Sequence, residues 1–269
     1  MAPRLAEAWG WHSVFAVAIL PLALASTTFV LLAKEAPGTA ARSQASEFFD
    51  VLKERDTYLF CLFYGVTFGG FVGLASFLSI FLHDQYGVSK VTAGDLTSLC
   101  VIAGSFLRPV GGFLADRLGG IRMLAVLYGM AALLALGIAQ LPALSGAITM
   151  LVLLMACLGI GNGSVFQLVP QRYGRRVGVA TGILGAAGGL GGFLLPTLVG
   201  SLKQATGTYA SGLAVLAGLA VVALVLLAVA QTEWVGSWIG RHGRVTSSGG
   251  PESAADVLLP VEALKSTNG

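Results

Sequence analysis

Long apolar stretches separated by short polar segments dominate the pattern of this chain. A hydrocarbon core of about 30 Å is crossed by roughly 20 helical residues, so each stretch is long enough for one membrane-spanning helix. We predict seven spans, at about residues 11–33, 57–82, 93–115, 122–140, 146–169, 177–201 and 208–231. The predicted fold class is an all-α polytopic membrane protein.

Two polar segments divide the predicted spans into groups. Residues 34–56 open with Ala-Pro-Gly-Thr and carry mixed charges, which predicts a surface linker with a short amphipathic helix. We therefore predict a first helix at 1–33, a linker at 34–56, a six-helix bundle at 57–235 and a polar tail at 236–269. A cleavable leader is the less favoured alternative for the first helix, because its apolar run extends to residue 33 without a break.

Composition supports a membrane protein and offers little for other classes. The chain is 55% hydrophobic and 11% charged, whereas soluble domains are about 25% charged. We predict no metal, no cofactor, no nucleic-acid partner and no enzymatic activity, because the chain has no nucleophile motif and its histidines are scattered. These histidines are His12, His83 and His242.

Basic residues are distributed unequally between the two sides of the predicted membrane. Twelve of the sixteen lysines and arginines fall on the side of the linker and the tail, and only Arg4, Lys90 and Lys203 fall on the other. Cytoplasmic loops carry the excess of basic residues. We therefore predict a multi-pass protein of the cell membrane (plasma or inner) with a cytoplasmic linker and carboxyl terminus.

The remaining basic residue, Arg108, is the only formal charge buried within a hydrophobic segment, away from the span ends. A charge at the centre of a membrane helix costs at least about 2.5 kcal/mol, so it usually marks a binding site or pathway. The acidic residues lie in loops or at span ends, as Asp95 and Asp116 do, so Arg108 has no counter-ion at its own depth. A bound anion could balance it, and we predict that Arg108 binds one.

The turn after this span has the sequence GGFLADRLGGIR, at residues 111–122. Its carboxylate could cap the next helix, and an ordinary charged turn is the plain alternative. The motif resembles the loop motif of the major facilitator superfamily, which implies a role in conformational gating rather than substrate contact. The matching residues are Gly112, Asp116, Arg117, Gly119 and Arg122.

Two glycine-rich stretches carry a narrower resemblance. Residues 159–173, GIGNGSVFQLVPQRY, place Asn162 among Gly159, Gly161 and Gly163, and this string resembles a helix of nitrate/nitrite porters, a family within that superfamily. Residues 181–200 resemble the glycine signature of the porters' eleventh helix. Small residues at such spacing let helices pack closely, and packing alone is the alternative for each glycine. The signature glycines here are Gly185, Gly188, Gly189 and Gly192.

An aromatic pair in the second span extends the resemblance. Tyr64 and Phe68 are four residues apart and share one helix face, which is typical of core or lipid-facing residues. The porters' seventh helix supplies a tyrosine and a phenylalanine at this spacing to the anion pocket. The resemblance therefore implies that these rings line the faces of a planar anion, that Asn162 contacts it, and that the Arg108 guanidinium holds its edge.

The resemblance aligns the chain with helices six to twelve of a twelve-helix transporter. It implies a truncated or split nitrate/nitrite transporter that works by alternating access together with a separate amino-terminal half. Either nitrate or nitrite as substrate, and either antiport or proton symport as mechanism, is compatible with the sequence. The alternatives are another anion-carrying facilitator, for organic phosphates or carboxylates, and a membrane sensor or scaffold that does not transport.

Overall fold

A computed structural model describes residues 2–33, 45–235 and 237–238 of the chain. The described residues form α-helices joined by short turns, with one π-helical segment at Gly65–Gly69 and one 3-10 turn at Gly174–Arg176. The helices are α1 (Ala2–Trp9), α2 (Trp11–Leu32), α3 (Ala45–Lys53), α4 (Arg55–Tyr64), α5 (Gly70–Tyr86), α6 (Lys90–Leu118), α7 (Gly120–Ala139), α8 (Leu144–Tyr173), α9 (Val177–Thr206) and α10 (Ala210–Trp234).

Six continuous helical runs of the described residues are long and apolar enough to cross a membrane. The longest, Leu144–Thr206, contains both α8 and α9, which the 3-10 turn joins. Each of these helices has 30 residues and a length of about 45 Å, so each alone could cross the hydrocarbon core. The all-α membrane class is confirmed, and the count of seven crossings stays a prediction.

Several helices extend beyond the predicted spans at both ends. The run of α4, the π-helical segment and α5 covers Arg55–Tyr86 where we predicted 57–82, and α6 covers Lys90–Leu118 where we predicted 93–115. Backbone hydrogen bonding continues into the polar ends, where caps stop it. At α6 the Ser89 hydroxyl accepts a hydrogen bond from the Thr92 amide at 3.1 Å.

Helices α6 and α8 pack against each other more extensively than any other pair of described elements. Their backbones touch at glycines: a Cβ on Gly159 would overlap the Gly104 carbonyl, and a Cβ on Gly163 would overlap the Arg108 carbonyl. Only glycine allows so close an approach. This crossing fixes the position of the Arg108 backbone, on α6, against α8.

Helix α9 packs in a similar way against the π-helical segment. A Cβ on Gly69 would lie 2.8 Å from the Gly191 Cα. On the other side of the segment, the Phe63 carbonyl accepts hydrogen bonds from the hydroxyls of Thr67 at 3.1 Å and Tyr128 at 3.0 Å. The π-helical segment therefore packs against α9, while the end of α4 that precedes it is tied to α7 by the Tyr128 hydrogen bond. Tyr64 ends α4 and Phe68 lies in the segment.

Polar contacts hold α5, α9 and α10 together at one end of the bundle. The Lys203 ammonium donates hydrogen bonds to Asp84 at 2.8 Å and to the Tyr209 hydroxyl at 2.6 Å, and that hydroxyl donates to Asp84 at 2.8 Å. We call the opposite end, where α4 begins and α8 and α10 end, the linker end.

The segments outside the bundle are only partly described. None of the residues of α2 is buried, and α3 lies within the predicted linker. Residues 34–44 of that linker, and the tail beyond residue 238, lie outside the described residues. The division into first helix, linker, bundle and tail stays a prediction.

Candidate functional site

Arg108 lies on α6 among aromatic rings. Its guanidinium carbon is 4.4 Å from the centre of the Phe71 ring and 5.4 Å from that of Phe68. Within the described residues, no carboxylate forms an ion pair with Arg108, and its buried Nε has no hydrogen-bond partner. The side chain as a whole is only half-buried, so the accessible part of the guanidinium is its Nη edge.

Tyr64 and Phe68 form a parallel stack beside this arginine. Their ring centres are 4.9 Å apart and their planes differ by 5°. The Phe166 ring on α8 meets Tyr64 edge to face at 4.9 Å. Gly188 on α9 lies against the stack, because a Cβ there would come within 2.7 Å of Tyr64 and 2.9 Å of Phe68. The structure therefore brings Arg108, Tyr64 and Phe68 together.

Asn162 lies on α8 between the two glycines that contact neighbouring elements. Gly161 packs against Thr67 of the π-helical segment, and Gly163 packs against the Arg108 carbonyl. The Asn162 side chain is 3% exposed, and neither its amide nitrogen nor its amide oxygen has a hydrogen-bond partner in the described part of the chain. An unsatisfied buried amide costs about 1 to 3 kcal/mol, which a polar ligand could recover.

The residues of the predicted gating motif lie at the turn between α6 and α7. Asp116 is about 12 Å along the helix from Arg108, so the motif does not share the aromatic site. The prediction that Asp116 caps α7 is wrong. The N-cap position is Gly119, whose φ of 93° suits glycine, and no side chain caps this helix end among the described residues. Arg117 packs over the Phe113 ring at 4.1 Å, and Arg122 is exposed.

The signature glycines of α9 fall into two groups. A Cβ on Gly188 or Gly192 would meet side chains of the π-helical segment and α5, with Val72 at 2.9 Å from Gly192. Gly185 and Gly189 have no described atom within 4 Å of such a Cβ, apart from their own helix. The motif glycine Gly112 has ordinary contact distance, 3.8 Å, to the Gly163 carbonyl.

Two aromatic residues of this site, Phe71 and Phe166, were not predicted. Phe71 follows Phe68 by three residues and therefore shares its helix face, which was a usable signal. Phe166 follows Asn162 by four residues on α8, and only the helix arrangement shows that it reaches Tyr64.

A second group of charges, also not predicted, lies at the linker end. The Arg172 guanidinium at the end of α8 donates a hydrogen bond from Nε to Asp56 and forms an ion pair with Glu54 at 3.0 Å. The Trp234 indole donates to the other Asp56 oxygen at 3.0 Å. We call these four residues the linker-end cluster. It ties α8 and α10 to the start of α4.

Comparison with known proteins gives the family. The sequence profile of the Major Facilitator Superfamily matches residues 1–196. The chain belongs to the major facilitator superfamily. Because this match covers most of the chain, the predicted resemblance at that level is confirmed.

Individual relatives show which members of the superfamily this chain resembles. The present chain is 34% identical to the "Nitrite extrusion protein" of Bacillus subtilis over 84% of its own length and 57% of that protein. It is 34% identical to the "Probable nitrate transporter NarT" of Staphylococcus carnosus over 84% of this chain and 58% of that protein. It is also 34% identical to the "Probable nitrate/nitrite transporter NarK2" of Mycobacterium tuberculosis, over 86% and 60% respectively.

These matches confirm the predicted similarity to nitrate/nitrite porters. The names of the three relatives are those of transporters. The chain spans less than two thirds of the length of these relatives.

Proposed function

We propose that this facilitator supplies one wall of a membrane pathway for nitrate or nitrite. The observation that carries the proposal is Arg108: a half-buried charge in an apolar helix, with aromatic rings on its faces and no described carboxylate beside it. A buried cation without a counter-ion is unfavourable, so an anion that reaches it is stabilised. The names of the relatives suggest which anion.

The geometry suits a small planar oxyanion. The accessible Nη edge of Arg108 can donate two parallel hydrogen bonds to two oxygens of one anion. The partly exposed Phe68 ring, backed by the buried Tyr64 ring stacked on it, and the exposed Phe166 ring provide apolar walls. The Asn162 amide has a donor and an acceptor without a described partner. The Arg108 guanidinium and the Asn162 amide would then gain hydrogen-bond partners that the described residues do not offer.

We further propose that a second six-helix half provides the opposite wall, either within one longer polypeptide or as a separate chain. Transporters of this superfamily bind substrate where two repeats meet and rock them about the site. In that arrangement residues 57–235 form one half and residues 34–56 link it to the other. The α6–α7 turn with Asp116 and Arg117 would take part in the rocking, and the packed glycines of α8 and α9 would allow close helix contact.

We propose that the linker and the tail face the cytoplasm, because twelve basic residues lie on that side and three on the other. Fusions of a cytoplasm-active reporter after Gly38 and after Gly250 provide the measurement. Both fusions should be active; activity at only one of them would contradict the topology.

The anion site is tested by Arg108→Lys in the full chain, reconstituted in lipid nanodiscs. Line broadening of ¹⁵N-nitrate measures weak binding directly, and unlabelled nitrite or an organic phosphate serves as competitor. Lysine keeps the charge but cannot copy the guanidinium fork. Losing a desolvated charge-assisted contact costs about 2 to 5 kcal/mol, so nitrate affinity should fall more than tenfold.

Arg175→Lys is the matched control, because Arg175 is exposed and lies outside both the aromatic site and the α6–α7 turn, so the exchange should cause no loss of affinity. Equal affinity in Arg108→Lys and wild type would remove Arg108 from the site. Tighter competition by the organic phosphate than by nitrite would favour a carrier of larger anions. Nitrate binding without uptake, in vesicles that also contain the amino-terminal part of a relative, would favour a sensor.

A further inference from the structure

Phe71 is the ring closest to the Arg108 guanidinium. The distance from the guanidinium carbon to its ring centre is 4.4 Å, an ångström shorter than the corresponding distance to Phe68. Phe71 is 4% exposed, so most of its surface is covered by protein and it forms no open wall of the site. The cation over its face is the Arg108 guanidinium.

The backbone of α6 makes room for this ring. Gly104 precedes Arg108 by one helical turn, and a Cβ at Gly104 would overlap both the Phe71 ring and the Met155 carbonyl. The ring thus lies against bare backbone directly below the arginine. Its place is set by α5, α6 and α8, independently of where the Arg108 side chain points.

We infer that Phe71 is a positioning residue for anion binding: its fixed ring holds the Arg108 guanidinium by one face and leaves the Nη edge free for the ligand. This inference rests on the proposed role of Arg108. A guanidinium over an aromatic face is held by the ring quadrupole while its hydrogen-bonding edge stays available. Holding the group in its bound orientation reduces the entropy lost when the anion binds.

The buried Nε indicates which edge of the guanidinium the anion uses. Nε has no hydrogen-bond partner in the described chain and no contact with solvent. An anion bridging Nε and one Nη would have to displace the surrounding protein atoms. The accessible alternative is the edge formed by the two Nη atoms, which matches two oxygens of a planar anion.

A fluorination series at position 71 separates this electronic role from simple packing. Mono-, di- and trifluorinated phenylalanine weaken the negative face of the ring stepwise while largely keeping its shape. Nitrate affinity of the full chain in nanodiscs, measured by ¹⁵N-nitrate line broadening, should fall stepwise, by about three- to tenfold for the trifluorinated ring.

Phe63 is the matched control for this series. It is fully buried in the same helical run, and its ring neighbours in the described structure are aromatic, with Tyr128 at 6.0 Å. The same fluorination at position 63 should leave nitrate affinity unchanged. This control reports any general effect of fluorine on folding or on the bilayer.

The outcomes distinguish the two levels of the argument. A flat or rising affinity across the series at Phe71, or an equal fall at Phe63, overturns the positioning role while the Arg108 site stands. Absence of nitrate binding in the wild-type chain, also when it is combined with the amino-terminal part of a relative, contradicts the proposed function itself. A stepwise fall at Phe71 alone, with Arg108→Lys also weakened, supports both.

Discussion

Two arginines in long apolar helices, Arg172 on α8 and Arg108 on α6, have opposite surroundings. Arg172 has a side chain 30% exposed and meets two carboxylates, Asp56 and Glu54. Arg108 meets two aromatic rings, with no described carboxylate in reach and a buried Nε that has no partner. Described carboxylates compensate the charge of Arg172, whereas no described residue compensates that of Arg108.

This difference predicts opposite costs of removing each charge. Without Arg172, the partly buried Asp56 carboxylate would lose its described ionic partner, and Glu54 would keep only the longer contact to Arg176 at 3.9 Å. Unpaired buried charges destabilise a fold strongly. Without Arg108, no described group would lose an ionic partner, and an unfavourable charge would leave the apolar helix. Stability and binding should therefore separate cleanly between the two sites.

The largest expected effect on stability is that of Arg172→Leu. We expect the free energy of unfolding, measured by SDS titration of the protein in detergent micelles, to fall by about 2 kcal/mol, less than for a fully buried pair because the site is partly solvated. Arg108→Leu should leave it unchanged or raise it while abolishing nitrate binding. A larger loss of stability in Arg108→Leu than in Arg172→Leu would break the comparison.

Arg55→Gln is the control for this pair at the same end of the bundle. Arg55 pairs with Glu233 at 3.0 Å, but their side chains are 69% and 52% exposed. Solvent screens such pairs, so the change in unfolding free energy should stay within about 0.5 kcal/mol.

A smaller effect, on binding alone, is expected for Gly188→Ala. The new methyl group would lie 2.7 Å from Tyr64 and 2.9 Å from Phe68, so the stack must shift away from α9. Overpacking of this kind costs about 1 kcal/mol or more, and we expect nitrate affinity to fall about fivefold. Gly189→Ala, one residue further on, meets no described atom within 4 Å and should bind nitrate normally. Equal affinities in the two variants would show that the stack is not part of the site.

Much of this architecture could be predicted from the hydrophobic pattern, because a membrane-spanning helix is recognisable in a sequence as a long apolar stretch. The helix ends were less predictable. The N-cap Ser89 lies before the apolar residues, so α6 begins at Lys90, three residues before its predicted span. The π-helical segment at Gly65–Gly69 has no signal that distinguishes it from other glycine-rich helix.

The contacts between helices were the least predictable part of the site. Spacing on one helix places Tyr64, Phe68 and Phe71 on a common face, but it does not say which ring meets Arg108. The linker-end cluster joins residues more than a hundred positions apart, such as Asp56 and Arg172, and sequence spacing carries no information about that pairing. Glycine spacing in α9 likewise predicted close packing without saying which glycines touch a neighbour.

The glycine crossing of α6 and α8 has a mechanical consequence. Because backbone meets backbone where Gly163 covers the Arg108 carbonyl, no side chain separates the two helices at that contact to absorb a relative displacement. Sliding of either helix alone would drive the Arg108 carbonyl oxygen into the α8 backbone at Gly163. A displacement of the α6 backbone at Arg108 is therefore expected to move the α8 backbone that carries Asn162 along with it.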